Sequence, residues 1–423
     1  MIKANDPLLK SWIEVSEKSD FPIQNIPFGV IKTTSLSARA SSRIGDKVID
    51  LQALFTLGYL NNLPFEKSDF ATDALNPIMK KGKSATTELR NRISKLFCTD
   101  NTDLSDNYHH VEQVLIDEKQ VEMLIPVQIG DYTDFYSSEG HARNIGSIFR
   151  DPDNALLPNW KWLPVGYHGR ASSIIPTNQM VKRPKGQQKP NPDGNPVFGP
   201  CKLLDFELEM AFVTFDGKPL GESISTKEAN DYIFGMCIMN DWSARDIQKW
   251  EYVPLGPFLA KSFASSVSPW IVTMDALEAF STAGPKQDPE VLPYLKFEGN
   301  HHYDLDLEVG ITPENGEETV VSNSNYKYMY WNTVQQLAHH TVNGCNLRCG
   351  DMMASGTISG EDPSSYGSML ELSWKGTKPV PMNDGSERKF IQDNDTVTMR
   401  GHCSANGVRV GFGEVKTKIL PAD

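Results

Sequence analysis

The chain has 423 residues, more than a single hydrophobic core ordinarily organises, so two domains are expected. Its formal charge is 41 − 54 = −13, which offers no basic footprint for nucleic acid and disfavours an anionic membrane surface. No apolar run approaches bilayer length, and the N-terminal residues lack the basic-then-apolar order of a signal peptide. The six scattered cysteines (Cys98, Cys201, Cys237, Cys345, Cys349 and Cys403) read as packing thiols of a cytoplasmic protein.

In chain order, Phe28-Gly29-Val30-Ile31 and Lys47-Val48-Ile49-Asp50-Leu51 read as short strands. Leu89, Ile93 and Phe97 fall at helical spacing, which predicts a helix over 84–97 with Ser84 as its N-cap. The polar stretch 100–107 reads as a loop, and the adjacent His109-His110 pair as solvated surface. Nothing in this first region, to about residue 125, forms a catalytic constellation.

From residue 126 the texture changes. Glycines, prolines, tryptophans and short alternating runs predict many short strands in a sandwich or barrel-like architecture. Leu307-Glu308-Val309-Gly310-Ile311, Thr396-Val397-Thr398-Met399 and Val408-Arg409-Val410-Gly411-Phe412 are examples. Residues 182–200, rich in Pro, Gly, Gln and Asn, read as a long loop. Ser225 with Glu228 reads as a capping box opening one helix. Val334, Leu337 and Ala338 share a face of a second helix over 332–341, closed by Asn343-Gly344.

The chemistry concentrates around Leu204-Asp205-Phe206-Glu207-Leu208-Glu209-Met210. Apolar and acidic residues alternate there with the period of a strand, so Asp205, Glu207 and Glu209 share one face. In a cleft, such like charges require raised pKa values or a cation. Asp134 and Asp241 are further carboxylates, each ending an apolar segment beside aromatics. An oxygen-only ligand set favours Ca²⁺ or Mg²⁺ over zinc. The plain alternative for Asp241 is an ion pair with Arg245, four residues on.

His141, in Ser137-Ser138-Glu139-Gly140-His141, and His168, in Gly166-Tyr167-His168-Gly169-Arg170, are both candidate general bases, and the residues alone do not choose between them. His339-His340 read as packing or surface. Arg150, Arg170, Arg245 and Lys261 are candidate clamps for an anionic substrate. Gly356-Thr357-Ile358-Ser359-Gly360 is a tight turn with amide and hydroxyl donors. Neither a P-loop nor a dinucleotide fingerprint is present.

Ile129-Gly130-Asp131-Tyr132-Thr133-Asp134-Phe135-Tyr136-Ser137-Ser138 resembles the fumarylacetoacetate hydrolase family. So do residues 163–173, the acidic strand, Asn240-Asp241-Trp242-Ser243-Ala244-Arg245-Asp246-Ile247-Gln248, and the stretches 354–360 and 368–376. Even Asp20-Phe21-Pro22-Ile23-Gln24-Asn25 fits the family. The resemblance implies a β-rich α+β fold: a small N-terminal SH3-like barrel domain (1–125) and a larger mixed β-roll or sandwich catalytic domain (126–423), in a homodimer. It implies that Asp134, Glu207, Glu209 and Asp241 hold a divalent metal, Ca²⁺ or Mg²⁺. The family's base falls on His141 and its partner carboxylate on Glu371. Substrate contacts fall on Tyr136, Arg150, Tyr167, Gln248, Tyr252 and Thr357. Lys261 matches a family lysine of the oxyanion region, near a second, structural magnesium. Ser265 stands where the family often has Thr, and its hydroxyl keeps a metal contact available. Asp205 has no ligand role in the family pattern and is expected to be structural.

The implied reaction is hydrolysis of the carbon–carbon bond of 4-fumarylacetoacetate to fumarate and acetoacetate, the last step of tyrosine and phenylalanine breakdown. Here the metal polarises a chelated diketone, His141 activates water, and Lys261, Gln248 and Arg245 stabilise developing charge. The competing readings are a related acylpyruvate hydrolase, decarboxylase or tautomerase, and a non-catalytic metal-binding scaffold whose acids serve folding alone.

Overall fold

A computed structural model describes residues 2–423. Its centre is a sheet of eight strands, in the order Gly166–His168, Tyr132–Phe135, Met352–Ala354, Leu208–Thr214, Ile233–Asp241, Ser265–Val267, Ile174–Pro176, with Val272–Thr273 joined to Ile233–Asp241 off this path. Both faces of its middle strands are buried, and the alternation of side chains sorts them into two cores. Leu208, Met210 and Phe212 face one core with Met236, Ile238 and Met353. Ala211 and Val213 face the other, with Cys237, Met239, Met352 and Ala354.

The first core is closed by a second sheet, in the order Thr319–Asn325, Leu305–Thr312, Thr396–Ala405, Val408–Leu420, Val181–Lys182. The second core is closed by the N-terminal region, whose five-stranded sheet runs Leu115–Asp117, Lys47–Asp50, Arg39–Ile44, Phe28–Lys32, Glu122–Met123. Phe28, Val30, Leu89, Ile93 and Phe97 from that region pack directly into this core. Among the described residues, no helix is long and apolar enough to cross a membrane.

Four local expectations are corrected. The acidic stretch is two strands, Leu204–Asp205 and Leu208–Thr214, with Phe206-Glu207 between them. Leu204–Asp205 pairs with Ser243–Ala244, whereas Leu208–Thr214 pairs with Ile233–Asp241. Both chains therefore bend at one level, and Glu207 bridges to Ser368 instead. The expected loop over 182–200 holds a hairpin, Lys185–Gln188 with Val197–Pro200. Ser225 opens one turn followed by a 3₁₀ segment, Ala229–Asp231, and Glu228 bonds both Ser225 and Lys218. The helix Gly82–Phe97 begins ahead of Ser84, so Ser84 is not its cap.

The helix Thr333–Thr341 does carry a reciprocal cap between Asn332 and Gln335. His109 and His110 lie on a helix, Tyr108–Val114, where the His110 ring bonds the Tyr59 hydroxyl at 2.8 Å.

Candidate active site

Strand register brings four carboxylates to one end of the central sheet. Asp134 sits beside Ala354, which pairs with Ala211. Two residues before Ala211 is Glu209, opposite Met239, and two residues after Met239 is Asp241. The period of two keeps these side chains on one face, and Glu207 joins from the bend. All four are buried, and one oxygen from each lies within 4.8 Å of the others.

Such a cluster is strongly destabilised as it stands. Two unit charges 4.8 Å apart repel by about 3.5 kcal/mol at an effective dielectric near 20. The response differs by position. Burial, then the Asp241 charge, pushes Asp134 well above the usual carboxylate range. Burial, then Asp134, does the same to Glu209. Glu207 goes the other way: burial opposes ionisation, but Lys261 and Arg245 outweigh it and hold the group at about 2.

Two cations serve this face. Lys261 Nζ donates to Asp241 Oδ2 at 2.6 Å and forms a second, shorter bond to Glu207. Burial lowers its basicity, yet Asp241 and Glu207 prevail and keep the ammonium protonated. The Lys261 ammonium, which has no lone pair to offer a metal, is a counter-charge to Glu207 and Asp241. Arg245 Nη2 pairs with Glu207 at 2.7 Å, and its Nε donates to Asp205 at 2.8 Å. The alternative reading, an Asp241–Arg245 ion pair, finds no such contact among the described residues. Asp241 ends a strand and Arg245 starts the helix Arg245–Glu251, so they never share a turn. Ser265 lies opposite Asp241 in the sheet and donates its hydroxyl to Oδ1 at 2.7 Å.

Five carboxylates thus face two cations. Oδ1 of Asp134 and Oε1 of Glu209 are buried with no hydrogen-bond partner. Excess negative charge and orphaned hard oxygens on converging strands fit a divalent cation.

Beside this cluster lies a histidine–carboxylate pair. His141 is on the helix Glu139–Phe149, whose N-cap Ser138 accepts from the His141 amide. The ring is 3% exposed, and Nδ1 meets Glu371 Oε2 at 2.7 Å. That bond places the ring proton on Nδ1 and leaves Nε2 as the basic nitrogen. Glu371 also accepts from Asn144 at 2.9 Å, Ser359 at 3.1 Å and Ser368 at 2.7 Å. Burial opposes its charge, but His141 and these donors win and lower its pKa. His168 is exposed and separate from this pair, so geometry chooses between the two histidines.

The other expected residues divide. Tyr136 packs edge-on against the His141 ring, with centroids 5.3 Å apart. Tyr167 donates its hydroxyl to Asp241 at 3.2 Å, and burial keeps that phenol protonated. Gln248 accepts from Arg245 at 3.2 Å. Thr357 is buried beside Gly356, whose amide donates to Glu209 at 3.1 Å. Gly356 has φ +78°, a conformation only glycine adopts freely, and it lets this turn lie against the Phe135 backbone. Arg150 and Tyr252 stay exposed, and the Arg150 guanidinium donates to the Ala155 carbonyl. The Arg170 guanidinium donates to the Ser172 hydroxyl, outside the cluster. His339 and His340 pair with Tyr294 and Thr133 away from it.

Sequence reasoning missed Asn144, Ser359 and Ser368. Ser368-Met369-Leu370-Glu371 has the spacing of a capping box, which was the available signal for Ser368. Asn144 lies one turn after His141 on the same helix. Ser359 had no signal beyond its turn.

Known proteins resemble this chain over nearly its whole length. The family model described as fumarylacetoacetate (FAA) hydrolase C-terminal matches residues 132–420, and that described as fumarylacetoacetase N-terminal matches residues 24–126. A fumarylacetoacetase from Dictyostelium discoideum is 52% identical over 98% of this chain and 99% of its own length. One from Homo sapiens is 50% identical over 97% of this chain and 99% of its own length. Among solved structures, a fumarylacetoacetate hydrolase from Exiguobacterium antarcticum superposes with a TM-score of 0.53 at 17% identity, covering 94% of this chain and 99% of that one. It shares the fold.

Proposed function

Since the chain belongs to the fumarylacetoacetate hydrolase family, we propose that it hydrolyses the carbon–carbon bond of 4-fumarylacetoacetate to fumarate and acetoacetate, the closing step of tyrosine and phenylalanine breakdown. The observation that carries this reading is the buried His141–Glu371 pair set beside four converging carboxylates. Asp134, Glu207, Glu209 and Asp241 would hold Ca²⁺ or Mg²⁺, with Ser265 orienting Asp241. Bound there, the cation would supply Lewis-acid polarisation of a chelated 1,3-diketone.

The chain's own groups account for the rest. His141 Nε2 takes a proton from water, and Glu371 stabilises the imidazolium. The hydroxide adds to the carbonyl next to the fumaryl half. The carbon–carbon bond then breaks, its electron pair leaves with the acetoacetate carbon, and His141 returns the proton to that carbon. Lys261, Arg245 and Gln248 are fixed donors for the charge that develops. Tyr136, Tyr167 and Thr357 position the substrate at the centre, and Arg150 and Tyr252 at the exposed edge.

The functional division falls between 1–125 and 126–423: every residue named in the mechanism lies in the second part. The first part is read as an SH3-like barrel and the second as a mixed β-roll or sandwich. A cytoplasmic homodimer completes the reading. Its support is family membership together with six free cysteines.

The test is His141→Ala, with metal content and substrate binding measured alongside turnover, against fumarylacetoacetate and acylpyruvates in parallel. Turnover of fumarylacetoacetate should fall by about 10²–10⁴ while metal and substrate still bind. Normal hydrolysis by this variant would overturn the base assignment. Preference of the unaltered enzyme for an acylpyruvate would overturn the substrate.

A further inference from the structure

Asp205 is expected to be merely structural, yet both of its carboxylate oxygens are engaged beside the site. It is 0% exposed and is not one of the four converging ligand carboxylates. Its Oδ1 accepts from the Met369 amide at 2.6 Å, and its Oδ2 from the Leu370 amide at 3.1 Å. These are the first two amides of Met369–Leu372, the short helix that carries Glu371. Oδ2 also accepts from Arg245 Nε at 2.8 Å. Arg245 in turn contacts Glu207 and Gln248.

One buried side chain therefore touches both halves of the site. On one side is the turn that aims Glu371 at His141. On the other is the guanidinium that reaches a ligand carboxylate and a substrate-facing amide. The strand breaks after Asp205, whose backbone pairs with Ser243 while its side chain meets the 369–370 amides. We propose that Asp205 is a positioning residue that holds the His141–Glu371 pair in register with Arg245, Gln248 and Glu207. It acts through these groups and touches no reacting atom. This rests on the hydrolase reading above.

A residue that only supported folding would alter stability and leave turnover per folded molecule unchanged. A positioning residue does the reverse, because displacements near 1 Å cost about a hundredfold in rate. The test is Asp205→Asn in the full-length, metal-loaded enzyme. We expect kcat to fall by about ten- to a hundredfold, with KM moving less than about threefold. In a Glu371→Gln background the same change should cost clearly less than in the parent, because one of the two groups it positions is already disabled. Should Asp205→Asn not fold, Asp205→Ser keeps one acceptor, removes the charge facing Arg245, and serves the same comparison. A kcat within about twofold of the parent, or a full penalty retained beside Glu371→Gln, would overturn the inference. Absence of turnover in the unaltered enzyme would count against the hydrolase reading itself, and is seen before any variant is made.

Discussion

Replacing Glu371 by Gln tests the water-activating pair with almost no change of shape. The carboxylate is 1% exposed and accepts four hydrogen bonds, three of them at Oε2. A glutamine can keep its carbonyl oxygen toward His141, Ser359 and Ser368 and turn its amide toward Asn144. Asn144 can answer by rotating its own amide, so the packing survives. What disappears is the negative charge beside the imidazolium that forms when His141 takes a proton. At about 4 Å and an effective dielectric near 20, that attraction is about 4 kcal/mol. At 1.36 kcal/mol per decade, kcat should fall by about 10³. The loss belongs to the transition state, so KM should stay near its parent value. The assay is the disappearance of fumarylacetoacetate under metal-saturating conditions. His141→Ala combined with Glu371→Gln should be no slower than His141→Ala alone, because the pair acts as a unit. A single variant within threefold of parental kcat, to take a threshold of about half a decade, would refute the pairing.

Other consequences follow from the acidic cluster and its scaffold. Glu209→Gln replaces a carboxyl that burial and Asp134 force to hold a proton in the metal-free fold, so the metal-free protein should melt higher at neutral pH while the metal-induced rise in Tm shrinks; calorimetry with and without Mg²⁺ or Ca²⁺ reads both signs. Asp134 and Glu209 are raised in the fold above their ordinary values of 3.8 and 4.5, so their contribution to metal-free stability is present below that range and lost as pH rises through the folded values. Metal binding must expel the protons they hold. Titration calorimetry in buffers of different ionisation heat should therefore show proton release, and affinity that climbs with pH; affinity flat between about pH 5 and 8 would contradict this. Gly140→Ala would set a Cβ 2.5 Å from the Ser359 carbonyl and 2.9 Å from that of Gly360. It should cost about 1–3 kcal/mol in denaturant unfolding and at least tenfold in turnover, since His141 follows directly.

Much of the site was legible before the fold. Acidic alternation in 204–210 pointed to the charged cluster, because side-chain period is local information, but the single strand face it implied is broken at Phe206-Glu207. The family strings carried His141, Glu371 and the four carboxylates by position. The helices read over 84–97 and 332–341 were visible from apolar spacing, and the second also from the closing Asn343-Gly344.

What the tertiary structure decided was pairing. Asp205, Glu207 and Glu209 look equivalent in the chain. The bend at Phe206-Glu207 separates them: Asp205 turns to the Met369 and Leu370 amides, Glu207 to two cations, and Glu209 to the unpartnered oxygens. Arg245 leaves Asp241, its sequence neighbour, for a residue forty positions away. His141 and His168 are alike as residues, and only burial against Glu371 distinguishes them. Charges act through space at a few ångströms, and which charges come that close is set by strand register and packing, not by distance along the chain.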